Sequence, residues 1–354
     1  MDRIYYITGL MSGSSLDGVD LAYCSFREKE GNWEHQIHEA ETKPYPAGIR
    51  ERLFTVDRNN KDQIMDLDLE LAGFYALLLN DFHRRKDICP ELIASHGHTL
   101  WHRPLEGSTF QAGNGKELAR LTGIPVVSDF RSADVAQGGQ GAPLVPVGDK
   151  YLFCNFESCL NLGGFANISY DSQEGNRIGF DIAPANLALN WSARKSGLDY
   201  DKDGKIAFSE TPDASLFNRL NKLDYYGIPA PKSLGKEWFN STFLPVVSGG
   251  NLRAEQLQAT LTEHIGFQIG NAIRVSRARN VLVTGGGALN QALVRSIKNN
   301  SRAEIVLPDL HTIHFKEALV FAFLGLLKTK GEINCLSSVT GGKKDLSCGV
   351  IHQP

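Results

Sequence analysis

The sequence predicts an α/β protein made of two similar lobes, and three observations carry this prediction. Strand-forming runs at residues 3–8, 19–26 and 33–42 are followed by helical periodicity, and a comparable series starts again at residue 159. The first strand of each series ends in a glycine-rich turn, GLMSGSSLDG in one half and LGG in the other. A segment rich in Gly and Pro, QGGQGAPLVP, separates the two series. Strands that alternate with helices in this way favour sheets covered by helices.

The first half is expected to open with an antiparallel meander of those three strands. Apolar residues at helical spacing predict helices at 47–56 and 62–85. A buried strand at 92–95, a helix at 116–121 and a short strand at 124–128 are expected to follow. Because residues 137–146 are rich in Gly and Pro, we place the crossing between the lobes there. The predicted N-terminal lobe is 1–135, with 330–354 packing back on it, and the predicted C-terminal lobe is 136–329.

The second half is predicted to repeat the order of the first. Strands are expected at 159–162, 166–171, 177–181 and 280–284. Helices are expected at 185–195, 254–277, 289–297 and 316–328. A duplicated series of strands and helices, each with a glycine turn, indicates two lobes that close on a ligand.

Composition narrows the class of protein. The chain has 354 residues, 42% of them hydrophobic, and a formal net charge of -3. Without a basic stripe, nucleic acid and anionic membranes are not expected partners. No apolar run in the sequence approaches the roughly 18 residues of a membrane-spanning helix. The six cysteines are scattered and form no CxxC pair, which is typical of a reduced, cytoplasmic protein.

The glycine turns point to a phosphate ligand. Successive backbone N–H groups in a glycine turn form a nest for anions, and hydroxyl groups add donors. The candidate residues of the first turn are Ser12, Gly13, Ser14, Ser15, Leu16, Asp17 and Gly18. Those of the second half are Asn161, Gly163, Gly164 and, before a helix N-terminus, Gly285, Gly286 and Gly287. No Gly-Lys-Ser/Thr follows, so this is not a Walker P-loop, and an ordinary hairpin is the alternative for the first turn.

Several segments resemble one known family. LMSGSSLDGVD, SHGHTLWHRP, TGIPVVSDFRSADVAQGGQGAPLVP, LNLGGFANIS, APKSLGKEWFN and VTGGGALN are similar to motifs of the anhydro-N-acetylmuramic acid kinases. The resemblance runs from residue 7 to about residue 328, nearly the whole chain. It implies membership of the sugar kinase/actin/heat-shock chaperone ATPase superfamily, with two ribonuclease-H-like lobes around a central nucleotide and substrate cleft.

The resemblance also implies a reaction. Family members use ATP, Mg²⁺ and water to open the 1,6-anhydro ring of their substrate and form N-acetylmuramic acid 6-phosphate in cell-wall recycling, and they are homodimers. By this resemblance the residues from Ser12 to Gly18, with Gly163 and Gly164, line the phosphates, and Gly285 to Gly287 lie by the nucleoside. Asp181 matches the family's catalytic aspartate, and Glu317 matches a family glutamate that faces the cleft, so both are candidate catalytic residues.

One aspartate suits this chemistry. An inverting glycosidase needs a base for water and an acid for the leaving oxygen. Here the leaving oxygen, O6, attacks the γ-phosphorus of ATP instead of being protonated, so a single carboxylate base suffices. Asp181 ends a short apolar strand, although a carboxylate that caps the next helix would also fit that position. Glu317 begins a helix, where it could equally complement the helix dipole.

Other residues are candidates for the substrate and the metal. His96, Asp129, Arg131 and Asn186 are predicted to bind substrate, with Arg131 suited to a carboxylate or a phosphate. An Asp129–Arg131 surface pair is the alternative. Asp17 could reach Mg²⁺ directly or through water, or instead stabilise its loop as an Asx turn.

The sequence departs from the family in three places. It reads FDIAPAN where the family has FDTGPGN, which introduces Ala183 and Ala185, and it has His98 for Gln and Asn114 for Asp. These changes are expected around the sugar site. They leave open a kinase for another amino sugar or sugar acid, or a protein that only binds nucleotide.

Two further patterns suggest metals. His96, His98 and His102 do not have the spacing of a standard zinc set. Residues 199–210, DYDKDGKIAFSE, match an EF-hand loop, but Pro212 follows at once, so a structural turn is the preferred interpretation.

Overall fold

The computed structural model describes residues 3–13, 16, 18–230 and 232–354. It divides into two compact units, Met1–Leu152 with Phe315–Pro354, and Phe153–His314. We call them the first and the second unit and describe each separately.

Twelve β-strands are defined in the described residues. They are β1 (Ile4–Ser12), β2 (Val19–Lys29), β3 (Asn32–Lys43), β4 (Leu92–Arg103), β5 (Ser108–Ala112), β6 (Val126–Ser128), β7 (Ser158–Leu162), β8 (Phe165–Asp171), β9 (Arg177–Pro184), β10 (Asn280–Thr284), β11 (Glu304–Val306) and β12 (Val350–His352).

Fourteen α-helices are defined in the same part of the chain, and a π-helical turn at Phe239–Phe243 joins the ninth to the tenth. They are α1 (Ala47–Thr55), α2 (Lys61–Lys86), α3 (Gly115–Thr122), α4 (Ser132–Ala136), α5 (Val145–Leu152), α6 (Asn186–Ala193), α7 (Lys205–Phe208), α8 (Ala214–Asn221), α9 (Lys236–Trp238), α10 (Leu244–Ser248), α11 (Ala254–Ser276), α12 (Gln291–Asn300), α13 (Leu310–Lys330) and α14 (Ser337–Thr340).

The sheet of the first unit has the order β12-β6-β4-β1-β2-β3, and β5 pairs with β4. The strands β1, β2 and β3 form the expected antiparallel meander, and β1, β4 and β6 are parallel. Side chains alternate between the two faces of β1. The Thr8 hydroxyl bonds the His83 ring on α2 at 3.0 Å, whereas the next residue, Gly9, packs on the backbone of Ala318 in α13.

The second unit repeats this topology. Its sheet has the order β11-β10-β7-β8-β9, with β7, β8 and β9 antiparallel and β7, β10 and β11 parallel. Its apolar core joins Ile168 and Phe180 of the meander to Leu189 of α6 and to Ile265 and Ile269 of α11. The duplicated series of strands and helices predicted from the sequence is therefore present in both units.

The two units meet in the sequence at 152/153 and 314/315, whereas the predicted lobe boundaries are 135/136 and 329/330. The Gly- and Pro-rich segment does not end the first unit, because it leads into α5, a helix that the sequence analysis missed. Gly148 of α5 packs so closely on Val320 of α13 that a Cβ atom would lie 2.4 Å from its Cγ2. A buried ion pair of 2.6 Å joins Asp149 to Lys316. Close packing and a buried charge pair therefore bind residues 145–152 to the first unit, and β12 near the C-terminus pairs with β6 there.

The expectation that no segment is long and apolar enough to span a membrane needs correction. Helix α13 passes that test by length and composition, with a mean hydropathy of 1.4 over its most apolar stretch. However, 67% of that stretch is buried inside the protein, as in a core helix. Its length is therefore weak evidence for a membrane span.

Candidate active site

In the second unit, the ends of the parallel strands β7 and β10 bring the predicted glycine residues together. Thr284 of β10 pairs with Asn161 of β7, so both glycine turns leave the sheet at the same edge. Gly285 has a φ of +83°, and a Cβ atom there would lie 2.5 Å from Oδ1 of Asn161. Only glycine combines this backbone conformation with so close a contact. The two turns form one glycine-lined surface.

Asn186 joins this surface to a cavity. Its backbone N–H donates to the Gly163 carbonyl at 3.1 Å, and its side-chain amide donates to the Leu162 carbonyl at 2.9 Å. A cavity of about 350 Å³ opens beside it, lined by Gly286 and Gly287 together with residues of α6 and of the turn at 200–203. Asn186 therefore lies with the residues assigned to the nucleotide, and its predicted role in binding the sugar is not supported by this position.

Asp181 lies on β9, three residues before that strand ends at Pro184. Its carboxylate Oδ2 accepts a hydrogen bond of 2.9 Å from the backbone N–H of Leu234. Burial raises the pKa of Asp181 to about 6, although this hydrogen bond opposes the shift. Helix α6 begins at Asn186 without a side-chain cap, so the alternative that Asp181 caps it is wrong.

In the first unit, His96 and Arg131 bind each other. The guanidinium Nη2 and Nε lie 2.8 and 3.1 Å from His96 Nε2, and Nη1 donates to the Gly141 carbonyl at 2.7 Å. His96 Nδ1 lies 2.8 Å from the Gly97 carbonyl, which assigns the ring proton to Nδ1. Burial, and then the charge of Arg131, hold the pKa of His96 well below its usual value. Three of the five N–H groups of the Arg131 guanidinium thus point at protein atoms.

Glu317, in the second turn of α13, lies near these groups. Burial raises its pKa first, and the negative charge of Asp20 raises it further. The positive charges of Lys316 and Arg131 oppose this shift. The charges of Glu317 and Arg131 therefore interact within the first unit, and the role of Glu317 at the site stays a prediction.

The Arg131 guanidinium bonds His96 and Gly141 rather than Asp129, so the alternative of an Asp129–Arg131 surface pair is wrong. Oδ1 of Asp129 accepts from the backbone N–H of Ser132 at 3.2 Å, and the φ of Asp129 is +55°. Asp129 thus stabilises the first turn of α4. Its predicted contact with substrate stays a prediction.

The hydroxyl of Ser12 faces inward rather than to a phosphate. It lies 2.5 Å from the Tyr45 hydroxyl and 2.9 Å from His98 Nδ1, and Tyr45 in turn bonds Tyr75 at 2.9 Å. Ser12 could therefore meet a phosphate only through its backbone. In the same turn the Leu16 N–H bonds the Gly13 carbonyl at 3.3 Å, and a Cβ atom on Gly18 would lie 2.8 Å from the Lys43 carbonyl. Ser14, Ser15 and Asp17 lie outside the described residues.

The departures from the family pattern have identifiable structural surroundings, and their expected place around the sugar site stays a prediction. Ala183 and Ala185 are fully buried in the core of the second unit, so their methyl groups are accommodated there. Asn114 caps α3 through a 3.0 Å bond from the Glu117 N–H and donates to Asp68 at 2.9 Å. A carboxylate at position 114 would face Asp68, which explains why an amide suits this chain. His98 lies beside Ser12 of the first glycine turn, and the Ala185 N–H donates to the Gly164 carbonyl of the second at 2.8 Å.

The two metal patterns have structural roles. His98 bonds Ser12 and His102 bonds Thr109 at 2.9 Å, while His96 bonds Arg131. In the EF-hand-like segment, both Asp201 carboxylate oxygens accept backbone N–H groups, of Ile206 at 2.8 Å and Ala207 at 3.0 Å. Asp201 therefore stabilises the turn before α7.

Sequence analysis missed the residues that hold Asp181. The Tyr225 hydroxyl donates to the Asp181 backbone carbonyl at 2.5 Å, and the Asp181 N–H donates to the Lys232 carbonyl at 3.2 Å. The segment around Lys232 matches the family motif APKSLGKEWFN, which by itself assigns no contact. No periodicity could have placed it beside β9, since it belongs to neither a helix nor a strand.

Two units with the same strand order, each with a glycine turn after its first strand, define the class of actin-like ATPases and sugar kinases. The chain belongs to the anhydro-N-acetylmuramic acid kinase family, whose sequence profile matches residues 4–354. It is thus an ATP-dependent sugar kinase.

Relatives that carry the family name are similar over their whole length. The chain is 34% identical to the anhydro-N-acetylmuramic acid kinase of Haemophilus influenzae, over 98% of this chain and 97% of the relative. It is 34% identical to the one of Nitrosospira multiformis, over 99% of this chain and 100% of the relative. Among solved structures, the activator of the 2-hydroxyisocaproyl-CoA dehydratase of Clostridium difficile, with bound ADPNP, matches at a TM-score of 0.44 and 16% identity, over 92% of this chain and 96% of the activator.

Proposed function

We propose that this chain uses ATP and water to open the 1,6-anhydro ring of anhydro-N-acetylmuramic acid and to phosphorylate O6. The product is N-acetylmuramic acid 6-phosphate, an intermediate of cell-wall recycling. The observation that carries the proposal is the half-buried carboxylate of Asp181, which accepts the Leu234 N–H at 2.9 Å and whose pKa of about 6 makes it both ionised and basic at neutral pH.

Asp181 acts as the general base in the proposed reaction. Its carboxylate takes a proton from water, and the water oxygen forms a bond to C1 of the sugar as the bond between C1 and O6 breaks. The electrons of that bond stay on O6, which forms a bond to the γ-phosphorus while the bond from phosphorus to ADP breaks. Every atom is then accounted for by ATP, the sugar and one water.

Acid inactivation near pH 6 is the expected pH dependence of this step. Because the base must be ionised, kcat/KM should rise with pH through a pKa of about 6 and level off above it. Steady-state rates between pH 5 and pH 8, with Tm measured at each pH, would test this. A rate that is constant down to pH 5 in a folded protein would contradict the assignment of the base.

The nucleoside is proposed to occupy the cavity beside Gly286 and Gly287. The cavity is large enough for a nucleoside, and the adjoining glycine turns offer backbone N–H groups for phosphates. Asn186, between the turns and the cavity, is proposed to contact the nucleotide rather than the sugar.

Gly286→Ala is expected to weaken nucleotide binding without changing stability. A Cβ atom at Gly286 meets nothing closer than 3.7 Å, so the protein itself has room for it. A ligand packed on that backbone would meet the methyl group, and we expect KM for ATP to rise about tenfold. Steady-state titrations of ATP and thermal unfolding would measure both quantities. An unchanged KM for ATP would place the nucleoside elsewhere.

Mg²⁺ is proposed to enter with ATP. In the described part of the chain, no three His, Cys, Asp or Glu side chains are grouped to hold a metal by themselves. Mg²⁺ is commonly held by one or two carboxylates together with substrate phosphates and water. We propose Asp17, the carboxylate indicated by the sequence, for that role. The metal would neutralise phosphate charge during transfer.

The decisive experiment follows ADP release with a panel of sugars, and the proposal predicts turnover with anhydro-N-acetylmuramic acid. Turnover only with another amino sugar or sugar acid would favour the alternative kinase. Binding of MgATP without turnover of any sugar would favour a nucleotide-binding protein. We also propose a cytoplasmic homodimer, as the family resemblance implies, and sedimentation of the purified protein would test its mass.

A further inference from the structure

The backbone N–H, the backbone carbonyl and the carboxylate of Asp181 are all contacted by one short stretch of the second unit, residues 225–230 and 232–234, which we call the 225–234 segment. The Lys232 carbonyl accepts the Asp181 N–H at 3.2 Å, and the Leu234 N–H donates to the carboxylate at 2.9 Å. The Tyr225 hydroxyl donates to the Asp181 carbonyl at 2.5 Å. The segment therefore bonds both backbone polar groups of Asp181, and it also donates a hydrogen bond to the carboxylate that is proposed to react.

Contacts between Tyr225 and Lys232 connect the two ends of the 225–234 segment. The Lys232 ammonium donates to the Tyr225 backbone carbonyl at 3.0 Å and lies 4.5 Å from the centre of the Tyr225 ring. A cation over an aromatic face is attracted to it, more strongly where water is excluded. The same ammonium lies 5.7 Å from the ring of Phe180, the neighbour of Asp181. Tyr225, Lys232 and Asp181 thus form a closed ring of contacts.

These contacts influence both the orientation and the charge of the Asp181 carboxylate, the group that acts as the base in the proposed reaction. The hydrogen bond from Leu234 favours the ionised carboxylate and opposes the effect of burial. The Leu234 N–H is held in place by the Lys232 contacts two residues earlier. If those contacts loosen, the carboxylate should lose both its orientation and the bond that favours its charge.

We propose that Tyr225 and Lys232 are positioning residues that hold the Asp181 carboxylate in its reactive orientation through the 225–234 segment. The inference rests on the proposed role of Asp181 as the base. The Tyr225 phenol interacts electrostatically with Asp181, the Lys232 ammonium lies over the ring of the adjacent Phe180, and the partner of Asp181 on β8 is Asn167. Burial raises the pKa of Tyr225 above its ordinary value, so the phenol stays neutral and remains a donor.

The adjacent tyrosine provides a matched control. Tyr226 is half-buried, and its hydroxyl lies 2.8 Å from His264 Nε2. Tyr225→Phe and Tyr226→Phe each remove one hydrogen-bonded hydroxyl, but only the first removes a contact with Asp181. A purely structural role predicts similar effects of both changes on Tm and little effect of either on the chemistry.

The test compares pH profiles of kcat and KM for the wild type and both variants. For Tyr225→Phe we expect kcat to fall about tenfold with little change in KM for ATP, because misorientation of a reacting group lowers the rate. The acid limb of its profile should move to higher pH, since the Leu234 bond weakens. Tyr226→Phe should keep the wild-type kcat and acid limb. Equal kinetics of the two variants would overturn the inference.

A second pair of variants tests Lys232. Lys232→Met removes the charge but keeps an unbranched side chain, whereas Lys232→Arg keeps a cation over the ring. We expect the Met variant to show the same loss as Tyr225→Phe and the Arg variant to recover most of the rate. If Asp181→Asn stays active, the proposed function fails. If Asp181→Asn is inactive but these variants behave like the wild type, only the positioning role fails.

Discussion

Asp181→Asn is expected to lower product formation by at least about 10³-fold, because general bases typically contribute 10² to 10⁴ and no second base is proposed here. The change keeps the size of the side chain and an oxygen that can accept the Leu234 N–H. ATP binding, which we assign to the glycine turns and their cavity, should persist. Calorimetric titration with MgATP, beside the rate of sugar phosphorylation, separates the two quantities.

Asp171→Asn is a suitable control for this change. Asp171 ends β8 in the same unit, and its exposed carboxylate lies 3.4 Å from Arg177. It should keep the wild-type rate. A rate for Asp181→Asn within tenfold of the wild type would contradict the assignment of the base.

Asp181→Asn should also stabilise the folded protein, and this gain in the free energy of unfolding should grow as the pH rises. The folded-state pKa of Asp181 is raised from 3.8 to about 6, so the protonated carboxyl favours the folded state. That contribution is complete below about pH 3.8 and is lost as the pH rises through about 6. At pH 8 the amide variant should therefore unfold with a free energy about 1 to 3 kcal/mol above that of the wild type. Chemical denaturation at pH 5 and pH 8 would show the difference growing with pH.

Gly9→Ala is expected to destabilise the folded protein strongly, because the added methyl group has no room. A Cβ atom on Gly9 would lie 1.9 Å from the Ala318 carbonyl oxygen and 2.8 Å from its carbon. Both neighbours are backbone atoms of a buried helix, so neither a side-chain rotation nor a small shift relieves the contact. We expect the free energy of unfolding to fall by more than about 3 kcal/mol, or the variant to be insoluble.

Gly73→Ala provides the contrast within the same unit. Gly73 lies within α2, and a Cβ atom there meets nothing within 4 Å. Since alanine is the better helix former, this variant should gain about 0.5 to 1 kcal/mol. Denaturant titrations of the two variants would test the pair. A Gly9→Ala protein as stable as Gly73→Ala would show that β1 does not pack on α13 as described.

Local sequence patterns predicted the strands that repeat in the two units. Alternating apolar residues around β1 to β3 and the long apolar periodicity of α2 are local signals, and the structure confirms them. Strand β4 is longer than expected, because its His-rich end carries polar side chains that pair with β5. Helix α5 was missed because Gly and Pro dominate the segment that leads into it, and its partners Val320 and Lys316 are far away in the sequence.

The roles of polar side chains were harder to predict than the glycine turns. A positive φ or a close backbone contact restricts a position to glycine, so Gly285 could be recognised from its sequence context. By contrast, the Ser12 hydroxyl, Arg131 and Asn114 each bond at least one group more than 30 residues away, and no spacing rule reveals such partners. The 225–234 segment belongs to the same class, since its bonds to Asp181 cross about fifty residues of chain.

The mass of the sugar product tests the central claim most directly. Wild-type protein would be incubated with MgATP and anhydro-N-acetylmuramic acid, beside Asp181→Asn, and the sugar product analysed by mass spectrometry. The account predicts a gain of one phosphoryl group and one water for the wild type, and no product for the variant. A product that gains the phosphoryl group alone, with its anhydro ring intact, would contradict the account.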